Sequence, residues 1–346
     1  MTTPLISVVI TTYNYGRFIE EAIESVLAQE FPSDQLEVVI VDDGSTDGTG
    51  ERVKKYGSKL RYFYQKNRGQ AAALNLGFAE ARGEILSLLD ADDYFLPGKL
   101  ARVADVFQGD AGLGMFYHPF LEFDMETKEE RVSRFPLVSG SVYQEMAKFA
   151  HYVGPGTSVS FRRRFLDKLL PIPEEIRMLA DGYIGSLIIF VAPILATQEC
   201  LAAYRFHGNN CFHSDEKQLS TETREKWLRM FRIETAAMRK WLSASGYTGK
   251  EPAVRMFLDS LERNLQAQEF SIKPPGRLRY FASVVKENRA NSAFQTWKLT
   301  ALNYLVSPLA LIFGYRKAAA MYEVRGRITA NVERLFRGNR REELTR

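Results

Sequence analysis

The sequence lacks the features that mark several large classes of protein. Its 346 residues include only two cysteines, Cys200 and Cys211, which argues against a disulfide framework and a cysteine metal site and favours a reducing compartment. No basic segment followed by an apolar stretch opens the chain, so we expect no signal peptide. The strongly apolar segment at residues 299–314 contains Pro308 and falls short of the roughly 20 residues that a membrane-spanning helix needs.

Two common phosphate-binding motifs are also missing. No Gly-x-Gly-x-x-Gly follows the first predicted strand, and no Gly-x-x-x-x-Gly-Lys occurs in the chain. These absences disfavour a dinucleotide-dependent oxidoreductase and a P-loop enzyme, because both classes hold phosphate with such glycine-rich loops. Any phosphate group must therefore be held in another way.

Charge is distributed unevenly along the chain. Residues 1–215 carry 21 Lys and Arg against 29 Asp and Glu, and residues 216–346 carry 25 against 13, so the two parts have formal charges of −8 and +12. A basic region joined to an acidic one indicates that the two parts meet different partners. Nucleic acid and an anionic membrane surface are the two candidates for the basic part.

Two short apolar runs end abruptly on aspartates. Residues 38–41 precede Asp42, and residues 85–89 precede Asp90 and Asp92. Such runs are typical of buried parallel strands, and ligands of open α/β sheets bind outside the carboxyl ends of these strands. Carboxylates gathered in one crevice repel each other unless a cation neutralises them. The pattern therefore predicts a divalent metal and a substrate that carries a polyphosphate.

The first hundred residues alternate between strand and helix patterns, which predicts an α/β fold with a mostly parallel sheet and flanking helices. The predicted strands there are residues 7–11, 38–41, 60–64 and 85–89, and the predicted helices are residues 18–29, 46–56 and 70–81. Beyond Pro97 the pattern weakens. We predict further strands at residues 113–123, 131–135, 154–161 and 199–204, and further helices at residues 141–150, 181–190, 221–243 and 252–270. The chain is accordingly divided into an α/β domain, residues 1–215, and a helical C-terminal region, residues 216–346.

Several motifs occur together in one order and spacing. They are residues 7–14 (SVVITTYN), 25–29 (SVLAQ), 41–49 (VDDGSTDGT), 67–75 (NRGQAAALN), 89–93 (LDADD) and 204–210 (YRFHGNN). Together they resemble a family 2 glycosyltransferase with the GT-A fold over about residues 5–213. The resemblance implies a Rossmann-like fold and an inverting transfer of a sugar from a nucleoside-diphosphate sugar, expected to be a UDP-sugar, to a hydroxyl acceptor.

The resemblance also implies a metal and a set of donor-binding residues. Asp92 is the expected ligand of Mn²⁺ or Mg²⁺, His207 is a second candidate ligand, and Asp90 is expected to contact the sugar or ribose. A divalent cation would stabilise the charge that develops on the leaving diphosphate. The remaining expected donor contacts are Thr11, Tyr13, Asp42, Gly69 and Arg205, with Asp42 accepting a hydrogen bond from the nucleobase and Tyr13 stacking on it.

Asp181 resembles the base that the family uses to deprotonate the acceptor hydroxyl. A carboxylate within hydrogen-bond reach can perform this step. The family often has another acidic residue immediately before the base, and Ala180 departs from that pattern. One base without a carboxylate nucleophile suits a single displacement with inversion.

Two other functions remain as alternatives. A nucleotidylyltransferase also combines an α/β sheet with carboxylate-bound magnesium, but residues 11–17 offer only Gly16 and Arg17 for the glycine-rich basic loop it would need. A non-catalytic nucleotide-sugar-binding protein is the second alternative, and the presence of Asp90, Asp92 and Asp181 argues against it.

The resemblance implies a role in polysaccharide, glycolipid or cell-envelope synthesis, with a saccharide or lipid-linked acceptor and no nucleic acid. Residues 299–314 and the arginine-rich tail after them suit an anionic membrane surface. We therefore expect a cytoplasmic protein, peripherally attached to the inner face of the cell membrane. The opposing interpretation is a packing helix followed by a solvated tail.

Overall fold

The structure is a computed structural model that describes residues 5–133, 137, 139–140, 155–208, 210, 220–276, 278–280 and 282. The strands are β1 (Ile6–Thr12), β2 (Leu36–Asp42), β3 (Arg61–Tyr64), β4 (Ile85–Asp90), β5 (Tyr94–Phe95), β6 (Met115–Tyr117), β7 (Leu121–Asp124), β8 (Glu130–Val132), β9 (Val159–Arg162), β10 (Ile194–Ala196) and β11 (Ala202–Phe206). The helices are α1 (Ile19–Leu27), α2 (Thr49–Lys54), α3 (Gln70–Glu80), α4 (Lys99–Gly109), α5 (Arg163–Leu166), α6 (Ala180–Leu187), α7 (Thr221–Ala244) and α8 (Pro252–Ile272).

The main sheet has seven strands in the order β10-β6-β9-β4-β1-β2-β3. Strand β9 runs antiparallel to β4 and β6, and every other pair in this sheet is parallel. A second sheet has the order β5-β11-β7-β8. The predicted α/β architecture with a mostly parallel sheet is confirmed.

Helices cover both faces of the main sheet because its central strands are apolar on both sides. In β1, Val9 faces one core cluster together with Leu74 and Phe78 of α3, whereas Val8 and Ile10 face the other cluster, which includes helices α1 and α4. Successive side chains of a strand point to opposite faces, and here both faces are buried. This explains why the strands appear as continuous apolar runs.

The single strand predicted at residues 113–123 is wrong. The chain forms β6 in the main sheet and then β7 in the second sheet, with His118, Pro119 and Phe120 between them. Pro119 has no amide hydrogen for a strand ladder and restricts the residue before it, which favours leaving one sheet at this point. The sequence patterns did not predict helix α4 or strand β10.

The two long helices α7 and α8 confirm the predicted helical region. Met238, Leu242, Phe257 and Leu261 pack into one of the two core clusters of the sheet. Residues 226–262 belong to the same compact unit as the sheet, whereas residues 221–225 and the described residues from Arg263 onward form a second unit. The domain boundary at residue 215 stays a prediction.

The predicted apolar segment at residues 299–314 and the basic tail lie outside the described residues, as does the helix predicted at residues 141–150. Across the part of the chain that the structure describes, no helix combines the length and apolar character needed to span a membrane.

Candidate active site

The carboxyl ends of three neighbouring strands bring the predicted donor-binding residues together. Thr12 at the end of β1 pairs with Asp42 of β2, and Thr11 pairs with Asp90 of β4. The order of the strands reverses at β1. Strands β2 and β3 lie on one side of β1, and β4 lies on the other side. Such a switch point in an open sheet forms the crevice in which ligands bind.

A buried threonine organises the acidic residues that follow β4. The Thr157 hydroxyl donates to Asp93 Oδ2 at 2.6 Å and accepts from the Asp90 amide at 3.2 Å. Burial raises the pKa of Asp90 well above its ordinary value, and the charges of Asp181 and Asp92 raise it further. Burial and the charges of Asp92 and Asp90 do the same to the pKa of Asp93. The site therefore favours a cation or a proton.

Asp92 and His207 form a direct pair. His207 Nε2 lies 2.9 Å from Asp92 Oδ2, and the His207 side chain is packed against the rings of Tyr15 and Phe18. The Arg17 guanidinium lies 3.1 Å from His207 Nδ1. Since a guanidinium can only donate, Nδ1 accepts and neutral His207 carries its proton on Nε2, where it donates to Asp92. Nε2 would bind a metal only after this proton had moved to Nδ1 and the Arg17 guanidinium had turned away from Nδ1.

This donor set suits Mn²⁺ or Mg²⁺. Magnesium is usually bound by one or two carboxylates together with substrate phosphates, and imidazole is also a ligand of transition metals such as Mn²⁺. Two ligand atoms each about 2.1 Å from one ion and at a right angle lie about 3 Å apart, close to the observed 2.9 Å between Asp92 Oδ2 and His207 Nε2. Among the described residues, no group of three or more His, Cys, Asp or Glu side chains could hold a metal. Substrate oxygens would therefore have to complete the coordination.

Arg205 is buried behind the acidic segment. Its Nε donates to the Asp92 carbonyl at 2.5 Å, its Nη2 donates to the Asp93 carbonyl at 3.3 Å, and its Nη1 forms an ion pair with Glu21. The backbone amide of Arg205 also donates to Asp93 Oδ1 at 3.0 Å. These bonds hold the backbone that carries Asp92 in place, and the expected contact of Arg205 with the donor stays a prediction.

Asp181 lies in the first turn of α6. Leu179, just before this helix, has a positive φ of 61°, and the Ala180 amide donates to Gln70 Oε1 at 3.0 Å. A Cβ atom on Gly156 would lie 3.4 Å from Asp90 Oδ2 and 3.7 Å from Asp181 Oδ2. The two predicted functional carboxylates therefore both lie next to Gly156.

Burial also raises the pKa of Asp181, although hydrogen bonds from the backbone amides of Asp181, Gly182 and Gly156 partly oppose this shift. A carboxylate that binds amides and still has a raised pKa is a better proton acceptor than an exposed one. The geometry thus suits a base.

The expected nucleobase site lies at the end of β2. Asp42 is buried and accepts from the Ser45 amide at 2.7 Å and from the Tyr62 hydroxyl at 2.8 Å. A carboxylate has about four lone-pair positions, so Asp42 can accept a further hydrogen bond. Tyr13 is 48% exposed, which leaves its ring available for stacking.

Gly69 has a structural reason to be glycine. Its φ is +94°, and a Cβ atom there would lie 2.8 Å from Cα of Arg177. The Gly69 amide donates to Asp43 Oδ2 at 2.8 Å. The close approach therefore involves the segment that leads to Asp181, and an approach of Gly69 to the nucleobase stays a prediction.

Three residues of this region had no predicted role: Thr157, Gln70 and Glu234. Glu234 of α7 is buried, and a Cβ atom on Gly182 would lie 2.9 Å from its Oε1. The helical spacing of the sequence could have identified Glu234 as a buried residue, because Glu234 lies on the same buried side of α7 as Trp227 and Met238. Thr157 and Gln70 gave no signal, since their partners are distant in sequence.

Comparison with known proteins connects this site to a family. The family model described as Glycosyl transferase family 2 matches residues 7–170. An uncharacterized glycosyltransferase of Nostoc sp. is 34% identical over 273 residues, which cover 75% of this chain and 80% of the relative. An uncharacterized glycosyltransferase of Rickettsia conorii is 42% identical over 221 residues, and the match covers 59% of this chain and 34% of that relative.

Solved structures show the same fold. The structure of S. aureus TarS residues 1–349 with UDP-GlcNAc has a TM-score of 0.60 and 20% identity, with 92% of this chain and 91% of that chain covered. The mannosyltransferase PcManGT of Pyrobaculum calidifontis, in complex with GDP-Man and Mn²⁺, has a TM-score of 0.53 and 21% identity, with 97% and 88% covered. The predicted GT-A fold is confirmed. Since the Nostoc glycosyltransferase matches over most of both chains and the family model covers the strands that carry the acidic residues, the chain belongs to glycosyltransferase family 2.

Proposed function

We propose that this glycosyltransferase is metal-dependent and inverting, and that it moves a sugar from a nucleoside-diphosphate sugar to a hydroxyl group of an acceptor. The observation that carries the proposal is the proximity of the Asp92–His207 pair, Asp90 and Asp181, with Asp90 and Asp181 both next to Gly156. Family membership decides against the alternative of a nucleotidylyltransferase.

Asp181 would accept the proton of the acceptor hydroxyl while that oxygen attacks the anomeric carbon. The bond between the anomeric carbon and the phosphate oxygen breaks, and the nucleoside diphosphate leaves with its electron pair. Attack from the face opposite the leaving group inverts the configuration, so no covalent sugar intermediate on the protein is needed.

Asp92 and His207 would hold the divalent cation, which stabilises the negative charge of the leaving diphosphate as a Lewis acid when bound. Asp90 would bind the sugar or ribose, and Arg205 and Thr157 would keep the acidic segment in position through the bonds described above. A base whose proton affinity is raised by burial and a pair of metal-binding side chains suit this reaction.

The donor is proposed to be a UDP-sugar, bound by Thr11, Tyr13, Asp42 and Gly69 at the ends of β1 and β2. The related folds were solved with UDP, with UDP-GlcNAc and with GDP-Man and Mn²⁺, which supports a nucleotide sugar and a divalent cation. Stacking on the half-exposed Tyr13 and a hydrogen bond to Asp42 would recognise the nucleobase.

We further propose that residues 1–215 form the catalytic domain, and that the C-terminal region attaches the protein to the inner face of the cell membrane for polysaccharide, glycolipid or cell-envelope synthesis. The support is the apolar segment at residues 299–314 followed by an arginine-rich tail, since each basic residue near an anionic surface contributes about 1 kcal/mol. Flotation of the full chain with anionic vesicles, and of a truncation ending at Asn291, tests this attachment. Equal flotation of both proteins would contradict it.

The activity is tested by measuring release of nucleoside diphosphate from UDP-GlcNAc, other UDP-sugars and GDP-mannose with Mn²⁺. We expect release with at least one UDP-sugar, abolished by excess chelator. Unchanged release in chelator would contradict the metal, and no binding of any nucleoside diphosphate in a thermal-shift screen would contradict the donor class.

A further inference from the structure

A buried glutamate lies next to the proposed base. Glu234 belongs to α7, well outside the segment that the family model matches, and its side chain is 97% removed from solvent at 3% relative exposure. Its Oε1 would be 2.9 Å from a Cβ atom on Gly182, the residue that follows Asp181. Within the described part of the chain, no hydrogen bond or ion pair to the Glu234 carboxyl is seen.

The Glu234 carboxyl is nearly buried and lacks a partner, yet its oxygens are not among the fully enclosed, unpaired atoms of the described residues. A polar group that loses most of its water without gaining a hydrogen bond requires an explanation. Structural carboxyls in this protein show the usual solution. Asp43, for example, is similarly buried and accepts three hydrogen bonds, from Gln65, Arg68 and Gly69. Glu234 has no such set, and because its oxygens are not fully enclosed, a hydroxyl group of a ligand has access to them.

The position of Glu234 identifies which ligand it would meet. Gly156 lies close to the carboxyl groups of Asp90 and Asp181, and Gly182, the residue after Asp181, lies close to that of Glu234. The charge of Asp181 also acts on the Glu234 carboxyl, so the two carboxyl groups are close to each other. The reacting hydroxyl of the acceptor must approach Asp181, and a neighbouring group of the same acceptor would then come near Glu234.

Glycine at position 182 is consistent with this arrangement. The residue lies in helix α6 without a positive φ, so its backbone conformation does not require glycine. A side chain there would displace the Glu234 carboxyl, as the 2.9 Å distance shows. The helix therefore leaves room for the carboxyl directly beside the base.

We propose that Glu234 is an acceptor-binding residue whose carboxyl group hydrogen-bonds a second hydroxyl of a polyhydroxylated acceptor, next to the hydroxyl that Asp181 deprotonates. The inference rests on the proposed transfer reaction and specifies its acceptor as a sugar or polyol with neighbouring hydroxyl groups. Burial and the charge of Asp181 raise the pKa of Glu234 to about 8, so at neutral pH its protonated carboxyl can both donate and accept a hydrogen bond.

The experiment compares glycerol, which has neighbouring hydroxyls, with ethanol, which has one. Product formation from UDP-GlcNAc, or from GDP-mannose if that donor is used, is measured with Mn²⁺ at varied alcohol concentration. For the wild type we expect glycerol to be the better acceptor. For Glu234→Ala we expect the glycerol KM to rise at least tenfold, the ethanol KM to stay within twofold, and UDP affinity in the presence of Mn²⁺ to stay within twofold.

Thr235→Val is the matched control. Thr235 is the next residue of the same helix, is buried, and its hydroxyl has no hydrogen-bond partner among the described residues. We expect its glycerol KM to equal that of the wild type. Glu234→Gln keeps the size and much of the hydrogen-bonding capacity of the side chain, so it should raise the glycerol KM about threefold to tenfold and covers the case in which the alanine variant does not fold.

Each outcome has a consequence. The inference is overturned by equal KM values for glycerol and ethanol in the wild type, or by an unchanged glycerol KM in both Glu234 variants. It is also overturned if a wild type that binds UDP or GDP with Mn²⁺ transfers no sugar to glycerol. A loss of UDP affinity in Glu234→Gln, with its melting temperature unchanged, overturns it as well by moving Glu234 to the donor side. A wild-type protein that binds neither UDP nor GDP with Mn²⁺ overturns the proposed function itself.

Discussion

His207 Nε2 lies 2.9 Å from Asp92 Oδ2, although the two residues are 115 positions apart in the sequence. One is at the exit of β11 in the second sheet and the other follows β4 in the main sheet. Arg205, two residues before His207, binds the carbonyl oxygens of Asp92 and Asp93. The second sheet is therefore attached to the acidic segment through both Arg205 and His207. The distance between His207 and Asp92 is thus set by the packing of the two sheets.

Asp92→Ala is expected to abolish Mn²⁺-dependent nucleotide binding and sugar transfer while leaving the fold intact. The variant removes the carboxylate half of the metal-binding pair and also lowers the negative charge around Asp90 and Asp93. Isothermal titration of UDP with and without Mn²⁺ measures the effect. Asp34→Ala is a suitable control because Asp34 is an exposed residue before β2, at the opposite end of that strand from Asp42. Metal-dependent binding that survives in Asp92→Ala would contradict the assignment.

Asp181→Asn is expected to lower turnover by about two to four orders of magnitude, the usual range for general acid-base catalysis, with UDP affinity retained. Because burial raises the pKa of Asp181, the base is protonated at a higher pH than an ordinary aspartate. Turnover of the wild type should therefore fall on acidification at a higher pH than the ordinary aspartate pKa of 3.8 would give. A pH-rate profile checks this, and wild-type turnover in the variant would remove Asp181 from the mechanism.

Gly69→Ala is expected to destabilise the protein more than Gly98→Ala. Both glycines have a positive φ, +94° and +82°, but a Cβ atom at Gly69 would lie 2.8 Å from Arg177 Cα, whereas one at Gly98 would meet nothing within 4 Å. The backbone also differs, because ψ is 169° at Gly69 and −2° at Gly98. The Gly98 conformation is left-handed and costs a non-glycine residue about 1–2 kcal/mol, whereas the Gly69 conformation is essentially restricted to glycine, and the clash adds to that cost. Thermal denaturation of both variants measures the combined difference, and equal melting temperatures would contradict the prediction.

Glu234→Gln is expected to alter how stability depends on pH. The folded-state pKa of Glu234 is about 8, against an ordinary value of 4.5, so the folded protein holds a proton that the unfolded chain releases. This contribution to stability is complete below pH 4.5 and is lost as the pH rises through about 8. The melting temperature of Glu234→Gln relative to the wild type should therefore increase between pH 5 and pH 9, by at least about 2 °C.

Glu225→Gln provides the control for that measurement. Glu225 is an exposed residue of the same helix, so its replacement should give a difference from the wild type that is constant with pH. If the difference for Glu234→Gln were equally constant, Glu234 would not hold a proton across this range.

Sequence patterns were sufficient for the first half of the sheet. The apolar runs that become β1, β2 and β4 are buried on both faces, so they appear as continuous apolar stretches that end where Thr12, Asp42 and Asp90 begin the crevice. Their neighbours are set by short βαβ connections, which follow general handedness rules. Beyond α4 the strands are three to five residues long and belong to two sheets, and runs this short do not reveal their sheet.

The sequence by itself determined the α/β class, the strand-end position of Asp42, Asp90 and Asp92, and, through the order of its motifs, the family. Only the tertiary structure decided that His207 meets Asp92, that Arg205 is buried behind the acidic segment and that Glu234 lies beside the residue after Asp181. The physical reason is the range of the interactions. Strand periodicity and strand ends follow from neighbouring residues, whereas these contacts join residues more than 50 positions apart and depend on how sheets and helices pack.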